Sequence, residues 1–312
     1  LVHLAGIRLI KFFNSKGVLL ENHIIHCRSY FAAAVALEVK KKIPCIKVSF
    51  DMRSFLPPEI PMMFPKIGRY LYGGLKCWEY YLLEKCDFSF MTTRRGINLL
   101  ELEGSHKPPS FIPIIGFEND HLEEVKLTSL DTPVVGYVGS FSTWQSPIVL
   151  NVVFDKLVSV LPQCSFAVIT EDYFEVPNEK NITVMSASNS EVKKILSTML
   201  ALVVPGPLIT NNYFSELKMS ANFFSTKAAE ALSLGVPLIV NAKLIELASF
   251  VRANKCGLVF DLIKENVYFH GGDDSYLRKI ESWENMRLNA LKCAGNFSRT
   301  YVFEEYLKVW AR

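Results

Sequence analysis

The chain has 312 residues, of which 50% are hydrophobic and 21% are charged, and 34 basic against 31 acidic residues give a formal net charge of +3. This composition excludes a disordered or fibrous chain, and the length is sufficient for one large domain or two ordinary ones. The near balance of charge gives no sign of a nucleic-acid partner, and no apolar stretch reaches the roughly 18 residues that a membrane span needs.

The chain opens with LVHLAGIRLIKFF, which lacks both a starting Met and a signal-peptide cleavage site. We interpret it as an amphipathic helix that begins inside a longer protein, and we expect the first domain to be incomplete. The seven cysteines are widely spaced without a C-x-x-C pair, which fits neither a disulfide framework nor a zinc site. Most stand in apolar segments, which is typical of buried thiols in a reducing cytoplasm.

Short runs rich in Val, Ile and Phe alternate with helical segments along the chain. This alternation predicts βαβ units with parallel sheets, the doubly wound α/β class. The predicted strands are residues 23–27, 45–50, 88–92, 110–114, 133–139, 165–170, 181–185, 200–205, 236–241 and 257–261. The predicted helices are residues 28–42, 66–85, 94–103, 146–161, 189–198, 225–235 and 244–254, and three more near the C-terminus.

A polar, acid-rich segment at residues 115–132 separates the first four predicted strands from the others. It has no convincing strand periodicity and ends at a proline before a strongly apolar run. We therefore predict two Rossmann-like domains, residues 1–120 and residues 130–296. The last helix, residues 297–312, is expected to pack back on the first domain.

Polar residues stand at the ends of the first two strands, where parallel sheets place functional groups. His26 and Arg28 follow the first strand, and Asp51 and Arg53 follow the second. The candidates for a catalytic role are His26, Asp51 and Arg53, and Arg28 is a candidate for the acceptor side. The alternatives are a core histidine and an Asp51–Arg53 ion pair that fixes a following loop at residues 54–61.

The stretch at residues 65–85, which contains the predicted helix 66–85, interleaves basic and aromatic residues. Its basic residues are Lys66, Arg69, Lys76 and Lys85. Such a helix can lie on an anionic membrane, which for this chain means peripheral contact at the inner face. It can equally be a core helix whose lysines reach out to solvent.

The segment FFSTKAAEALSLGVPLIVN, residues 223–241, is the most informative one. Ser225 and Thr226 stand at a predicted helix N-terminus, where unpaired backbone N–H groups and the helix dipole favour an anion. Lys227 lies in the same turn, and Glu230 lies one turn along on the same face. Two interpretations remain open at this point: a phosphate site, or a helix cap with an exposed i,i+3 ion pair.

The pattern S-T-K-x-x-E-A-L-x-x-G-V-P-L-I-V-N, followed by C-G-L-V-F-D, resembles the donor-binding region of retaining glycosyltransferases of family 4, which have the GT-B fold. Further segments resemble the same family: PVVGYVGSFSTWQ (133–145), HCRSYFAA (26–33), FDMRS (50–54) and EYYLLEKCDFSFMTT (79–93). The resemblance implies two Rossmann-like domains facing across a cleft, an acceptor domain followed by a donor domain.

The resemblance also implies an activity. It is the metal-independent transfer of a hexosyl-type sugar, with retention, from a nucleotide diphosphate donor to a hydroxyl of a glycan, lipid-linked or small-molecule acceptor. Such a cytoplasmic enzyme serves polysaccharide or glycoconjugate biosynthesis and needs no cofactor, since the nucleotide sugar is its substrate. The alternatives are a non-catalytic nucleotide-sugar-binding module and a sugar-nucleotide epimerase of the same fold. A dinucleotide oxidoreductase is disfavoured because no G-x-G-x-x-G follows a strand.

Roles for individual residues follow from the resemblance. Glu230 stands where the family binds the ribose hydroxyls, and Lys227 would pair with the diphosphate. The full set expected to bind the donor is Gly139, Ser140, Phe141, Ser225, Thr226, Lys227 and Glu230. The chain departs from the family at Asn222, where many relatives have a glutamate, and it lacks the Gly-rich loop of the acceptor domain.

Overall fold

The computed structural model describes residues 2–16, 23–118, 133–142, 144–175, 182–208, 223–263, 266–270 and 274–312. These residues form two units. The first unit contains the chain up to Ile112 together with Glu305–Arg312, and the described residues of the second lie between Pro113 and Leu208 and between Phe223 and Glu304. The chain thus enters the second unit just before the polar segment at 115–132, of which residues 119–132 lie outside the described part. That the units are acceptor and donor domains remains a prediction.

The first unit contains a four-stranded parallel sheet in the order β1-β2-β3-β4. Its strands are β1 (Ile24–Cys27), β2 (Lys47–Met52), β3 (Phe88–Met91) and β4 (Ser110–Phe111). Its helices are α1 (Val2–Ser15), α2 (Tyr30–Lys42), α3 (Leu56–Met63), α4 (Pro65–Lys85) and α5 (Arg94–Leu102). Strand β2 is buried from its second residue to its last, because helices cover both faces of a parallel sheet.

The second unit contains a seven-stranded sheet in the order β11-β10-β9-β8-β5-β6-β7, parallel except for β11. Its strands are β5 (Val134–Val138), β6 (Ser165–Ile169), β7 (Ile182–Met185), β8 (Met199–Val204), β9 (Leu238–Asn241), β10 (Gly257–Ile263) and β11 (Asn266–His270). Its helices are α6 (Pro147–Val160), α7 (Asn189–Ser197), α8 (Thr226–Ser233), α9 (Ile245–Asn254), α10 (Asp274–Leu277) and α11 (Ile280–Cys293). The final helix, α12 (Arg299–Trp310), begins in the second unit, and its residues from Glu305 onward belong to the first.

The core of the second unit lies on both faces of its sheet. All six residues of the central strand β8 are buried. Leu202 and Val204 pack in one apolar cluster with α8 and α9, whereas Ala201 and Val203 pack in another with α6. Side chains alternate between the two faces of a strand, so a strand covered on both faces is apolar throughout. The predicted α/β class with Rossmann-like parallel sheets is confirmed.

Two elements differ from the sequence-based expectation. The loop expected at residues 54–61 is largely helix α3, because Pro57 and Pro58 occupy its first turn, where no N–H group is needed. The antiparallel strand β11 was not expected at all. It pairs with β10 from Val259↔His270 to Ile263↔Asn266 and extends the sheet beyond the parallel strands. Within the described ranges, no helix is both long and apolar enough to cross a membrane.

Candidate functional site

Two segments of the second unit meet the same edge of its sheet. Strand β5 ends at Val138 and leads into the loop at residues 139–141, and α8 begins at Thr226 before returning to β9. Strand β8 lies between β5 and β9, and all three run parallel. A helix that returns the chain to a parallel strand starts at the carboxyl edge of the sheet, which is where ligands bind in such folds. Asn222, the departure from the family pattern, lies outside the described residues.

The N-terminus of α8 retains donor groups. Ser225 is the N-cap residue with an extended backbone, and its hydroxyl makes no capping hydrogen bond. Its carbonyl accepts the N–H of Ala229 at 3.1 Å, which closes the first turn. The first N–H groups of a helix have no partner within the helix, so together with the dipole they can bind an anion. Thr226 is exposed beside them.

Lys227 and Glu230 form an ion pair on this helix. The distance from Lys227 Nζ to Glu230 Oε2 is 2.7 Å, and the side chains are 29% and 14% exposed. This contact is the i,i+3 ion pair that the helix-cap interpretation of the sequence predicts. The pair does not exclude the other interpretation, because both side chains keep a solvent-accessible portion. The donor-binding roles of the two residues remain predictions.

The position of α8 is fixed by close packing around its C-terminal half. Gly235 adopts φ +73°, and a Cβ there would lie 2.5 Å from Leu291, so only glycine fits this left-handed helix end. A Cβ on Gly116 would lie 2.7 Å from the carbonyl oxygen of Ala229. The next residue donates its N–H to the hydroxyl of Ser233 at 2.9 Å. The segment from Pro113 therefore runs directly over α8.

The loop after β5 turns at Gly139, whose φ of +143° favours glycine. Its N–H donates to the carbonyl of Ile169 at 3.0 Å, which ties the loop to β6. The hydroxyl of Tyr137 donates to the carbonyl of Ser140 at 2.9 Å. Burial, together with the charge of Asp172, raises the pKa of Tyr137, so this donor stays protonated.

An acidic side chain that sequence reasoning missed holds the same loop. The N–H of Phe141 donates to Oδ2 of Asp172, and the Phe141 ring stacks between those of Tyr137 and Phe174, with centroids 5.0 and 5.3 Å apart. The backbone N–H of Phe141, which the resemblance assigns to a donor phosphate, therefore already has a hydrogen-bond acceptor in Asp172. The contact bridges 31 residues, and no local spacing pattern signals it.

In the first unit, the buried carboxylate of Asp51 is the centre of a charge cluster. The carboxylate has no exposed surface, and its Oδ2 accepts Arg53 Nε at 2.8 Å and the hydroxyl of Tyr306 at 3.1 Å. His26 Nε2 lies 3.6 Å from the same oxygen. We call Asp51, Arg53, His26 and Tyr306 the Asp51 cluster. It joins the end of β2 to helix α12, and sequence reasoning missed the contribution of Tyr306.

The ionisation of the Asp51 cluster follows from its contacts. Burial alone would raise the pKa of Asp51, but the imidazole of His26 and the guanidinium of Arg53 lower it below its ordinary value. Burial and the charge of Asp51 raise the pKa of Tyr306. Asp51 is therefore charged and Tyr306 is a protonated donor at neutral pH.

Both ring nitrogens of His26 already have neighbours. Nδ1 is 3.0 Å from the hydroxyl of Ser49, and the ring packs edge-on against Tyr306 and Trp310. The ring of His26 is therefore partnered within the fold, but His26 is not a core residue, because it is exposed and 30% of its side chain is accessible. Arg28 is exposed in the bend after β1. Catalytic roles for His26, Asp51 and Arg53, and an acceptor role for Arg28, remain predictions.

A second buried carboxylate, also not anticipated, lies on α4. Glu79 has no exposed surface and accepts the hydroxyl of Tyr30 at 2.6 Å. Lys76 forms ion pairs with Glu79 and Glu103. Burial alone would lower the pKa of Lys76, but these two carboxylates raise it. Across the described ranges, no group of three or more His, Cys, Asp or Glu side chains is arranged to hold a metal ion.

No protein-family profile matches the sequence, and no curated protein is similar to it in sequence. Solved structures do share the fold. Sucrose-phosphate synthase from Thermosynechococcus elongatus has a TM-score of 0.66 at 14% identity, over 97% of this chain and 75% of that one. A trehalose-6-phosphate synthase, studied for glycosyltransfer with retention, has a TM-score of 0.59 at 12% identity, over 98% of this chain and 78% of that one.

A third structure, of a trehalose-6-phosphate protein from E. coli bound with UDP-2-fluoro glucose, has a TM-score of 0.59 at 12% identity, over 97% of this chain and 76% of that one. The structural neighbours are GT-B glycosyltransferases. At these identities the likeness concerns the fold.

Proposed function

We propose that this chain is a retaining glycosyltransferase of the family 4 type, which moves a sugar from a nucleoside diphosphate to an acceptor hydroxyl without a metal ion. The observation that carries the proposal is the position of the S-T-K-x-x-E pattern, at the N-terminus of α8 and the carboxyl edge of a parallel sheet. This edge is the usual ligand-binding position in such sheets. The likeness of the fold to that of sugar-transferring enzymes supports it.

The ion pair on α8 is chemically suited to a nucleotide sugar. Glu230 can accept two hydrogen bonds from the vicinal hydroxyls of a ribose, and Lys227 can pair with a diphosphate. The 2.7 Å contact between them keeps both charges balanced when no ligand is bound. Negative charge grows on the diphosphate as the sugar leaves, so a cation and a helix N-terminus in this place would stabilise the transition state.

The donor and the acceptor are proposed at the level of chemical class. A UDP-sugar is the first donor to test, because one structural neighbour was solved with UDP-2-fluoro glucose. The proposal of retention is supported by one structural neighbour, which was studied for glycosyltransfer with retention. The acceptor would be a hydroxyl of a glycan, a lipid-linked sugar or a small molecule, and the site of action would be the cytoplasm.

A non-catalytic nucleotide-sugar-binding module is the second candidate. The observation that favours it is the hydrogen bond from the Phe141 N–H to Asp172, which places a carboxylate in the loop where a diphosphate would lie. Like charges repel, so a diphosphate would bind there less tightly. Such a module would bind a nucleotide sugar without turning it over.

Two measurements in sequence test these functions. A thermal-shift panel of UDP-, GDP- and ADP-sugars comes first, because a ligand at about 100 times its dissociation constant stabilises by about 2.7 kcal/mol. NMR of the anomeric protons then follows the stabilising donor with and without simple sugar and lipid-linked acceptors. Acceptor-dependent release of the nucleoside diphosphate with a retained anomeric centre is expected. Conversion of the donor without any acceptor would indicate an epimerase, and binding without turnover would indicate the module.

A further inference from the structure

The helix that interleaves basic and aromatic residues, α4, has two halves with different surroundings. In the C-terminal half, Lys76 pairs with the buried Glu79, and the hydroxyl of Tyr80 donates to the carbonyl of Glu103 at 3.0 Å. One face of this half packs into the interior, in agreement with the core interpretation of the helix. The N-terminal half of α4 and the end of α3 instead leave large apolar side chains in solvent.

These exposed side chains form one surface, which we call the α3–α4 tip. Its apolar members, each about half exposed or more, are Met63, Phe64, Ile67, Tyr70 and Leu71. Two exposed cations, Lys66 and Arg69, lie among them. Single apolar residues on a surface are ordinary, whereas a contiguous set of this size marks an interaction site.

The backbone of the tip is held by close packing of α3 against α4. A Cβ on Gly68 would lie 2.4 Å from Cα of Pro61, so glycine is what lets the two helices touch. The N–H of Phe64 donates to the carbonyl of Ile60 at 2.8 Å, and the N–H of Gly68 donates to the carbonyl of Phe64 at 2.7 Å. The apolar side chains are therefore presented to solvent from a firmly bonded backbone.

The charge of the tip has one sign. Between Glu59 and Glu79 the sequence contains no acidic residue, whereas Lys66, Arg69 and Lys76 lie in this interval. In the part of the chain that the structure describes, neither of the two exposed cations forms an ion pair. Apolar and aromatic side chains beside unneutralised cations are complementary to a bilayer with anionic headgroups.

We propose that the α3–α4 tip binds this protein peripherally to the surface of an anionic lipid bilayer. Ile67, Tyr70 and Leu71 enter the boundary between headgroups and acyl chains, and Lys66 and Arg69 contact the lipid phosphates. The proposal does not depend on the proposed sugar transfer.

Co-sedimentation of the chain with vesicles tests the electrostatic part. We expect binding to mixed phosphatidylcholine and phosphatidylglycerol vesicles but little to phosphatidylcholine alone. Binding should weaken between about 0.1 M and about 1 M salt, because the Debye length falls from about 10 Å to about 3 Å. The double variant Lys66→Gln with Arg69→Gln should bind roughly 30-fold more weakly, at about 5-fold or about 1 kcal/mol for each cation. The matched control Arg252→Gln with Lys292→Gln removes an exposed arginine and lysine of the second unit and should bind normally.

The apolar part is tested by the double variant Ile67→Ser with Leu71→Ser, which should weaken binding roughly tenfold. Its control is Ile148→Ser with Leu288→Ser. The control residues lie on helices of the second unit and match the tip pair in exposure, at 58% and 46% against 63% and 48%. Circular dichroism melts of both variants check that the fold is kept.

A fluorescent reporter locates the contact. Tyr70 and Tyr173 are 91% and 87% exposed, so either accepts tryptophan without repacking. Brominated lipids should quench the new fluorescence of Tyr70→Trp but not that of Tyr173→Trp. The proposal is wrong if the unmodified chain does not bind anionic vesicles, or if Ile67→Ser with Leu71→Ser binds them as its control does. It is also wrong if sedimentation velocity reveals a dimer that this variant dissociates while vesicles remain unbound, since the tip then pairs with a second copy.

Discussion

Replacing Tyr306 by phenylalanine removes one hydroxyl from the Asp51 cluster and keeps the ring in place. The ring centroid lies 4.8 Å from that of Phe90 and 5.2 Å from that of Trp310, so the apolar contacts of α12 survive the change. The lost group is the donor at 3.1 Å from the buried carboxylate of Asp51. The variant therefore isolates one charge-assisted hydrogen bond.

The magnitude follows from the geometry. Hydrogen bonds to charged groups contribute about 1.5–3 kcal/mol. A distance of 3.1 Å is long for an O–H···O bond, and Arg53 still donates to the same carboxylate at 2.8 Å. We therefore expect the lower end, a loss of about 1.5 kcal/mol. This corresponds to a fall of roughly 5 °C in the Tm of the transition that contains the first unit.

The loss should depend on pH. Because the folded-state pKa of Asp51 is lowered, its charge stabilises the fold fully above the unfolded-state pKa of about 4, and this stabilisation disappears as the pH falls through the folded-state value. The difference between the wild type and Tyr306→Phe should therefore be largest at neutral pH. It should shrink as the pH falls below about 4 and through the lowered folded-state pKa of Asp51, where the acceptor becomes neutral.

Calorimetric melts at several pH values measure this difference. Tyr301→Phe is the control, because Tyr301 lies on the same helix and, within the described residues, its hydroxyl has no hydrogen bond. It should change stability by less than about 0.5 kcal/mol. Equal losses in the two variants, or a loss for Tyr306→Phe that grows toward acid pH, would refute the role given to this hydroxyl.

Three further outcomes are expected. Lys227→Ala should leave the affinity for a nucleoside unchanged and weaken that for its diphosphate by roughly 10- to 150-fold, since the contact is charge-assisted. Calorimetry compares this variant with Lys156→Ala, because the ion-pair distance of 2.9 Å and the 31% exposure of Lys156 are similar to those of Lys227. Equal effects of the two variants would mean that the ion pair on α8 has only a structural role. Gly235→Ala should cost about 1–3 kcal/mol in denaturant unfolding, whereas Gly295→Ala, with open space around its Cβ, should not; similar values would contradict the strained helix end. Asp172→Asn should tighten diphosphate binding about 5-fold by removing a repulsion of about 1 kcal/mol, and unchanged affinity would mean that the loop does not meet the phosphates.

The sequence predicted the fold where one physical rule dominated. Apolar runs such as that of β8 are buried on both faces, and alternation with helices leaves few topologies open. It failed where two rules competed. Pro57 and Pro58 look like loop residues until their place in the first turn of α3 is known. The apolar run of the edge strand β11 is only three residues long, between Asn266 and His270.

The candidate site was predictable only as far as contacts were local. The Lys227–Glu230 pair follows from a spacing of three residues on a helix. The contact of Tyr306 with Asp51 joins residues 255 positions apart, and it depends on where α12 packs. Such contacts are set by tertiary structure, and a single sequence contains no periodic signal for them.

The close packing around α8 determines which parts of its sequence pattern can change in evolution. Ala228, Ala229 and Ala231 have no exposed surface, and a Cβ on Gly116 would lie 2.7 Å from the carbonyl oxygen of Ala229. A descendant that lost its ligand would still need these small residues, together with Gly235 at the helix end. Much of the pattern would therefore persist in inactive relatives as a requirement of folding. Drift after loss of ligand binding would appear first at the more exposed positions of the helix start.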